Sequence, residues 1–168
     1  MPSGASLRSP FWMIVAGVVA LDRVTKMLMA RLLERDIDLM VAGDYVRLHL
    51  VHNPGAAFGL HLGPWSRWIF TLIAIGAIYL LHRMWREAAA ADHLRRWAVA
   101  VVAGGAAGNL VDRLLTSRGV IDFIDVGVGA TRWPTFNVAD IAVSCGAVAL
   151  ALSLWREDHS RRPAAPTS

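Results

Sequence analysis

Four long apolar segments constrain this chain more than any other feature of its sequence. They lie at about 11–33, 65–82, 94–115 and 136–155. A helix needs about 20 mostly apolar residues to cross a bilayer, and each segment is close to that length. Only 18% of the 168 residues are charged, whereas a typical soluble domain has about 25%. The sequence therefore predicts an all-α membrane protein with four transmembrane helices, in one membrane-embedded domain over residues 1–168.

The arginines predict how these helices are oriented. Four spans put both termini on one side, and eight arginines flank that side against five on the other. Because positive residues concentrate in cytoplasmic loops, we expect both termini in the cytoplasm. The net charge of +4 fits this bias, so no nucleic-acid partner is predicted. No small-residue cleavage site follows Leu21, so the first segment is expected to be an uncleaved span.

The segments between the spans predict less regular structure. Apolar and polar residues alternate weakly around Tyr45–Val51, which predicts a small extracytoplasmic β-sheet within about 36–64. Residues 116–135 contain glycines and are expected to form a loop that dips toward the fourth span. The tail, about 159–168, is rich in proline and alanine and is predicted to be disordered.

Ionisable residues inside the apolar segments need an explanation, since each costs about 2.5 to 3.5 kcal/mol on insertion scales. Asp22 and Lys26 lie one turn apart in the first span, in a favourable orientation for an ion pair. That pair either anchors the bundle or helps to shape a site. Asp112 and Arg113 end the third span, and their pattern favours a network that locks helices together. The role of Asn109, one turn earlier, stays open.

Two carboxylates form a sharper candidate site. Asp122 is flanked by valine, isoleucine and phenylalanine, and Asp140 lies one turn inside the fourth span, after Asn137. Alone, Asp122 fits an ordinary loop acid, and Asp140 fits a contact between helices. If both reach the same membrane boundary, they can share one proton, because two adjacent carboxylates do not ionise together readily. Such a pair can hydrolyse an amide bond: the ionised member activates water and the protonated member donates.

Other chemistries find little support in the sequence. It contains no His-Glu-x-x-His or Gly-x-Ser-x-Gly motif, so neither a zinc site nor a serine nucleophile is predicted. The single cysteine, Cys145, has no base beside it in sequence. One alternative is a small ion or proton transporter subunit, but 98–103 and 141–154 carry no charge to continue such a path. A structural assembly factor leaves Asp122 and Asp140 unexplained.

Five motifs in order resemble the lipoprotein signal peptidase family, also called prolipoprotein signal peptidase or signal peptidase II. They are Asp22–Lys26, Asn53–Phe58, Gly104–Arg113, Val120–Ile124 and Phe136–Asp140. Their shared order on a chain with four spans makes the resemblance specific. The link 126–132 carries no motif, although its conformation sets the spacing between Asp122 and Asp140.

The resemblance implies an aspartyl endopeptidase of the bacterial inner (plasma) membrane, with its site on the extracytoplasmic side. Such enzymes cut the signal peptide from prolipoproteins just before a diacylglyceryl-modified cysteine, within membrane lipid. The family needs no metal or cofactor and is inhibited by the cyclic peptide globomycin. Asp122 and Asp140 would be catalytic. The matching positions expected to bind substrate or to support the two aspartates are Asp22, Lys26, Asn53, Gly55, Asn109, Asp112, Arg113 and Asn137.

Overall fold

Four helices lie on the four apolar segments. The structure is a computed structural model, and it describes residues 10–33, 38–54 and 63–161. In that part of the chain the helices are α1 (Pro10–Leu32), α2 (Ser66–Glu87), α3 (His93–Leu115) and α4 (Val138–Arg161). A short 3-10 turn, Gly63–Trp65, precedes α2.

Three stretches of the described residues are long and apolar enough to cross a membrane. They are Gly63–Glu87, His93–Leu115 and Val138–His159. The helix α1 is not among them, because its 23 residues include four charged side chains: Asp22, Arg23, Lys26 and Arg31. A fourth span through α1 therefore stays a prediction.

The helix α3 is the centre of the bundle, since it packs against each of the other three helices. Its glycines allow the close approach. A Cβ atom on Gly104 or Gly108 would lie 2.7 Å from a side-chain atom of α1. A Cβ atom on Gly105 would meet the backbone of Ala139 in the first turn of α4. Small residues at such positions let helix backbones come together where lipid offers no hydrophobic drive.

An antiparallel sheet covers one end of the bundle. Its strands are β1 (Leu39–Ala42), β2 (Val46–Asn53), β3 (Val120–Val128) and β4 (Thr131–Arg132), in that spatial order. The pairing of β2 with β3 sets Val51 opposite Asp122 and Asn53 opposite Val120. An apolar core that includes Phe11, Val99 and Ala100 lies farther along α1 and α3, away from the sheet.

The sheet corrects one prediction and confirms another. The hairpin of β1 and β2 lies where a sheet was predicted within 36–64, although 63–65 is a 3-10 turn and 55–62 is outside the described residues. The predicted loop over 116–135 is wrong, because it contains β3 and β4. Two of the buried positions of β3 hold Asp122 and Asp125. Carboxylates at buried positions break the apolar alternation by which a strand is recognised.

The last helix also differs from its prediction. The helix α4 begins at Val138 and continues through Arg161, so the predicted disorder is wrong for 159–161. The ring centroids of Trp155 and His159 are 4.2 Å apart, and His159 Nδ1 lies 2.9 Å from the Trp155 carbonyl oxygen. Both residues lie in the last turns of α4. Residues 162–168 are outside the described part of the chain.

The packing of α3 on α4 generates a stability prediction. We expect Gly105→Ala to lower the stability of the folded protein by about 1 to 3 kcal/mol, the usual cost of overpacking. The added methyl group would press on backbone atoms of α4, which cannot move aside as a flexible side chain can. The apparent midpoint of thermal unfolding in detergent measures the effect.

The matched control is Gly76→Ala in α2, where a Cβ atom would meet nothing within 4 Å. This variant should unfold at or slightly above the wild-type temperature, since alanine favours helix over glycine by up to about 1 kcal/mol. Equal destabilisation by both substitutions would contradict the packing described for α3 and α4.

Candidate active site

The ammonium group of Lys26 joins α1 to α3 at the sheet end of the bundle. Its Nζ atom lies 2.8 Å from Asp22 Oδ2 and 2.8 Å from Asp112 Oδ2. It also donates to Asn109 Oδ1 at 2.9 Å. The Lys26 side chain is 0% exposed, and Lys26 is the one lysine among the 17 basic residues of the sequence. The ammonium nitrogen therefore lies within 2.9 Å of three oxygens, and the predicted ion pair of Asp22 and Lys26 is confirmed.

The two carboxylates around Lys26 also bind backbone of other elements. Asp112 accepts from Arg23 Nη1 at 3.0 Å and from the Ile121 backbone N–H at 3.2 Å. Asp22 Oδ1 accepts from the Ala139 backbone N–H at 2.9 Å. That N–H belongs to the first turn of α4, where helical N–H groups lack partners within the helix. The buried charges thus tie α1 and α3 to β3 and to the start of α4.

The side-chain amide of Asn109 connects this charged network to Asp140. Because its Oδ1 faces the Lys26 ammonium, its Nδ2 is left to donate, and it binds Asp140 Oδ1 at 2.8 Å. Asn137 Nδ2 also donates to Asn109 Oδ1, at 3.1 Å. The orientation of the Asn109 amide is therefore determined by the positive charge behind it.

Asp140 is held at the first turn of α4 by a reciprocal cap. Asn137 precedes the helix, and its Oδ1 accepts from the Asp140 backbone N–H at 3.0 Å. In return, Asp140 Oδ2 accepts from the Asn137 backbone N–H at 3.1 Å. This is the geometry of a capping box, which satisfies two N–H groups at a helix start. Asn137, which falls inside the predicted fourth segment, is thus the cap of α4 and precedes the helix itself.

Asp122 lies on β3 and meets the same asparagine. Asn137 Nδ2 donates to Asp122 Oδ1 at 2.6 Å, and Asn53 Nδ2 donates to Asp122 Oδ2 at 3.1 Å. Asn137 is fully buried and Asp122 is 3% exposed. One asparagine therefore contacts both predicted catalytic carboxylates, through its side chain on Asp122 and its backbone on Asp140.

Burial is the main influence on the charge of Asp122. Its pKa is raised to about 6: removal from water and, to a smaller extent, the nearby Asp140 carboxylate raise it, while hydrogen bonds from Asn53 and Asn137 lower it. Desolvation disfavours the charged form of any carboxyl group. Asp122 consequently titrates close to neutral pH.

Both carboxylates line one cavity of about 610 Å³. Its polar end holds Asn53, Asn109, Arg113, Asp122 and Asp140. Its apolar wall includes Phe136, Ile141, Val143 and Ala147. The cavity can therefore take a mainly apolar ligand with a polar group at the two aspartates.

Arginines hold the end of α3 beside this cavity. Arg113 Nη1 donates to the Asn109 carbonyl oxygen at 3.1 Å. Arg67 of α2 donates to the carbonyl oxygens of Arg113 and Leu114. The carbonyl groups of Arg113 and Leu114 lie in the last turn of α3, where carbonyl oxygens lack partners within the helix. Arg67 therefore anchors the turn of α3 that carries Arg113.

The structure brings together all of the predicted site residues that it describes. Gly55 lies outside the described residues. Arg23 and Arg67 were missed. Arg23 directly follows Asp22 within the first segment, and Arg67 lies near the start of the second, where an arginine is typical of the membrane interface. Within residues 10–33, 38–54 and 63–161, no group of three or more His, Cys, Asp or Glu side chains is arranged to hold a metal ion.

Comparison with known proteins decides the family. The profile of the family described as "Signal peptidase (SPase) II" matches residues 14–156. The chain belongs to the signal peptidase II family. A lipoprotein signal peptidase of Janthinobacterium sp. (strain Marseille) is 40% identical over 149 residues, which cover 87% of this chain and 88% of the relative. Another, from Paraburkholderia phymatum, is 37% identical over 164 residues, 96% of each chain.

A solved structure extends the likeness to the fold. It is described as a bacterial membrane enzyme determined by the in meso method at 2.3 Å resolution. It aligns with a TM-score of 0.80 at 26% identity, over 94% of each chain. As a member of the signal peptidase II family the chain is a membrane peptidase, and the resemblance given by its five motifs is confirmed.

The contacts of Lys26 generate a prediction specific to lysine. We expect Lys26→Met to lower stability by about 3 to 5 kcal/mol, because it leaves the buried Asp22 carboxylate without its cation and removes one of the two cations on Asp112. Lys26→Arg should also destabilise, since a planar guanidinium does not direct three donors at three converging oxygens as an ammonium does. Thermal unfolding in detergent measures both effects.

Arg31→Gln, an exposed position in the last turn of the same helix, is the matched control and should change the unfolding temperature little. A Lys26→Arg variant as stable as wild type would show that positive charge alone satisfies the network.

Proposed function

We propose that the chain is an aspartyl endopeptidase that removes the signal peptide from prolipoproteins, cleaving just before the diacylglyceryl-modified cysteine. The observation that carries this proposal is the shared environment of Asp122 and Asp140. Both line one largely apolar cavity, and both accept hydrogen bonds from Asn137. The lipoprotein signal peptidase relatives give the substrate class.

The proposed chemistry needs one proton between the two carboxyl groups. Asp122 is assigned this proton because burial raises the pKa of its carboxyl group to about 6, and Asp140 is assigned the role of base. Asp140 takes a proton from a water molecule as the water oxygen attacks the scissile carbonyl carbon, while Asp122 gives its proton to the carbonyl oxygen. Asp140 then protonates the leaving nitrogen, the C–N bond breaks, and Asp122 recovers a proton from a hydroxyl of the intermediate. General acid–base catalysis of this kind requires no cofactor.

The cavity suits a lipidated peptide that arrives from the bilayer. Its wall of Phe136, Ile141, Val143 and Ala147 can accommodate apolar parts of the substrate, and the polar end can receive the peptide bond. A cyclic peptide inhibitor such as globomycin would compete for the same space. Membrane lipid surrounds the bundle, because most large apolar side chains of α2 are exposed.

The proposed orientation has four spans, both termini in the cytoplasm of a bacterium, and the two aspartates at the outer face of the inner membrane. Support comes from the arginine bias of the loops and from α1 itself. Its charged residues Asp22 and Lys26 are buried against α3, so they do not prevent α1 from lying in lipid.

Substitution of either aspartate tests the proposal directly. Asp122→Asn and Asp140→Asn should each lower kcat for a lipidated prolipoprotein by at least about a thousandfold, because each removes one partner of the shared proton. A gel-shift assay of purified enzyme in lipid measures the cleavage, with and without globomycin. Asp158→Asn, exposed near the far end of α4, is the control and should cleave normally.

Near-normal turnover by either asparagine variant would overturn the mechanism. Ion flux in proteoliposomes, without cleavage of lipidated precursor by the wild type, would overturn the peptidase assignment and favour the transporter alternative.

The pH dependence tests the shared proton. Since the active form keeps one proton, kcat/KM should fall as pH rises through the upper apparent pKa of the pair, near the value of about 6 for Asp122. The matching fall in kcat should lie at higher pH, because bound substrate excludes water and burial raises a carboxyl pKa. Initial rates from acid to alkaline pH measure both curves, and a flat profile with chemistry rate-limiting would contradict a shared proton.

A further inference from the structure

The link between the two aspartates is a β-hairpin. β3 carries Asp122, the chain turns at 129–130, and β4 leads back toward α4. Beyond β4 the chain stays paired to β3: the Trp133 N–H donates to Val126 O at 2.8 Å. Phe136 N–H donates to Ile124 O at 3.0 Å, one residue before the cap of α4. The pairing of this hairpin therefore determines where α4, and with it Asp140, begins relative to β3.

Asp125 holds this hairpin from both sides. Its Oδ2 accepts from Arg47 of β2, at 3.0 Å from Nε and 2.9 Å from Nη2. Its Oδ1 accepts from Arg132 Nε of β4 at 3.0 Å. Each oxygen of one carboxylate thus binds a guanidinium from a different neighbouring strand. We call Arg47, Asp125 and Arg132 the Asp125 clamp.

The Asp125 clamp is largely buried and strongly paired. Its three side chains are 21%, 8% and 15% exposed, in the order Arg47, Asp125, Arg132. Burial by itself would raise the pKa of Asp125, but Arg132 and Arg47 hold that pKa below its usual range. Charged hydrogen bonds of this kind are stronger than neutral ones and fix geometry. None of the three residues is among those that line the cavity.

Arg132 carries a second set of contacts. Its Nη1 donates to the Asp44 carbonyl oxygen at 2.6 Å, and its Nη2 donates to the Asp125 carbonyl oxygen at 3.3 Å. Asp44 lies in the turn between β1 and β2. The clamp consequently joins the β1–β2 hairpin to the hairpin that separates the two aspartates.

We propose that the Asp125 clamp is a positioning device that sets the separation of Asp122 and Asp140. The proposal rests on the proposed function, because it gives the clamp a role in the shared-proton chemistry. The clamp contacts neither reacting carboxylate. It acts through β3 and the paired return to α4, whose register determines whether the two carboxyl groups face each other.

Asp125→Asn is the central test, since asparagine has the same shape but lacks the charge that holds both guanidinium groups. We expect kcat for the lipidated precursor to fall by about 10- to 100-fold, the usual effect of a misplacement near 1 Å. KM should change by less than about twofold, because the lining of the cavity is untouched. The alkaline fall of kcat/KM should move to lower pH, as wider separation weakens the mutual influence of the two carboxyl groups.

A second variant and a double variant keep the test decisive if Asp125→Asn folds poorly. Arg132→Gln removes the guanidinium that binds Asp125 from β4, and it should produce the same loss of kcat and the same pH shift. The double variant Asp125→Asn/Arg132→Gln should lose little more than either alone, because the two residues act as one unit. The matched control is Glu87→Gln at the end of α2, which removes a carboxylate that pairs with Arg83 outside the sheet.

The outcomes separate this proposal from the proposed function. Wild-type kcat and an unchanged pH profile in Asp125→Asn or Arg132→Gln would overturn the positioning role of the clamp. If Asp122→Asn is inactive in the same assay, that result would leave the shared-proton mechanism intact. A multiplicative loss in the double variant, or an equal loss in Glu87→Gln, would also overturn it. Cleavage by Asp122→Asn would instead overturn the shared-proton mechanism itself.

Discussion

The buried ammonium group of Lys26 is the interaction on which the site depends. It neutralises Asp22 and Asp112 inside the bundle and orients the amide of Asn109. A charge buried without partners costs several kcal/mol, so each of these groups needs the others in order to remain buried. The same carboxylates accept from backbone N–H groups of β3 and α4. The same network of buried charges therefore holds α1 against α3 and positions the candidate catalytic residues.

Asparagine side chains connect this charged network to the two aspartates. Asn109 contacts Asp140, and Asn137 contacts both Asp122 and Asp140. An amide offers a donor and an acceptor on one rigid plane, so fixing one end determines the other. The buried lysine determines which end of Asn109 faces Asp140.

Much of the architecture could be predicted from sequence. The four helices lie near their predicted segments because long apolar runs have few ways to satisfy their backbone other than a helix. Asp22 and Lys26 could be paired because i, i+4 spacing brings side chains together on any helix. The strand β3 could not be recognised, because two of its buried positions hold Asp122 and Asp125 in place of apolar residues. The roles of the arginines 23, 47 and 67 could not be recognised, because their partners are distant in sequence.

By itself, the sequence determined the apolar segments, their charged interruptions and the residues available for acid–base chemistry, since these depend on local composition and helical spacing. Tertiary structure decided which of those residues meet. Lys26 and Asn109 are 83 positions apart, and Asn53 and Asp122 are 69 apart. Their contacts exist because glycines bring α3 close to α1 and α4, and because β2 pairs with β3 in one register. Periodicity reports which face of an element is buried, but the partner of that face depends on how the elements pack.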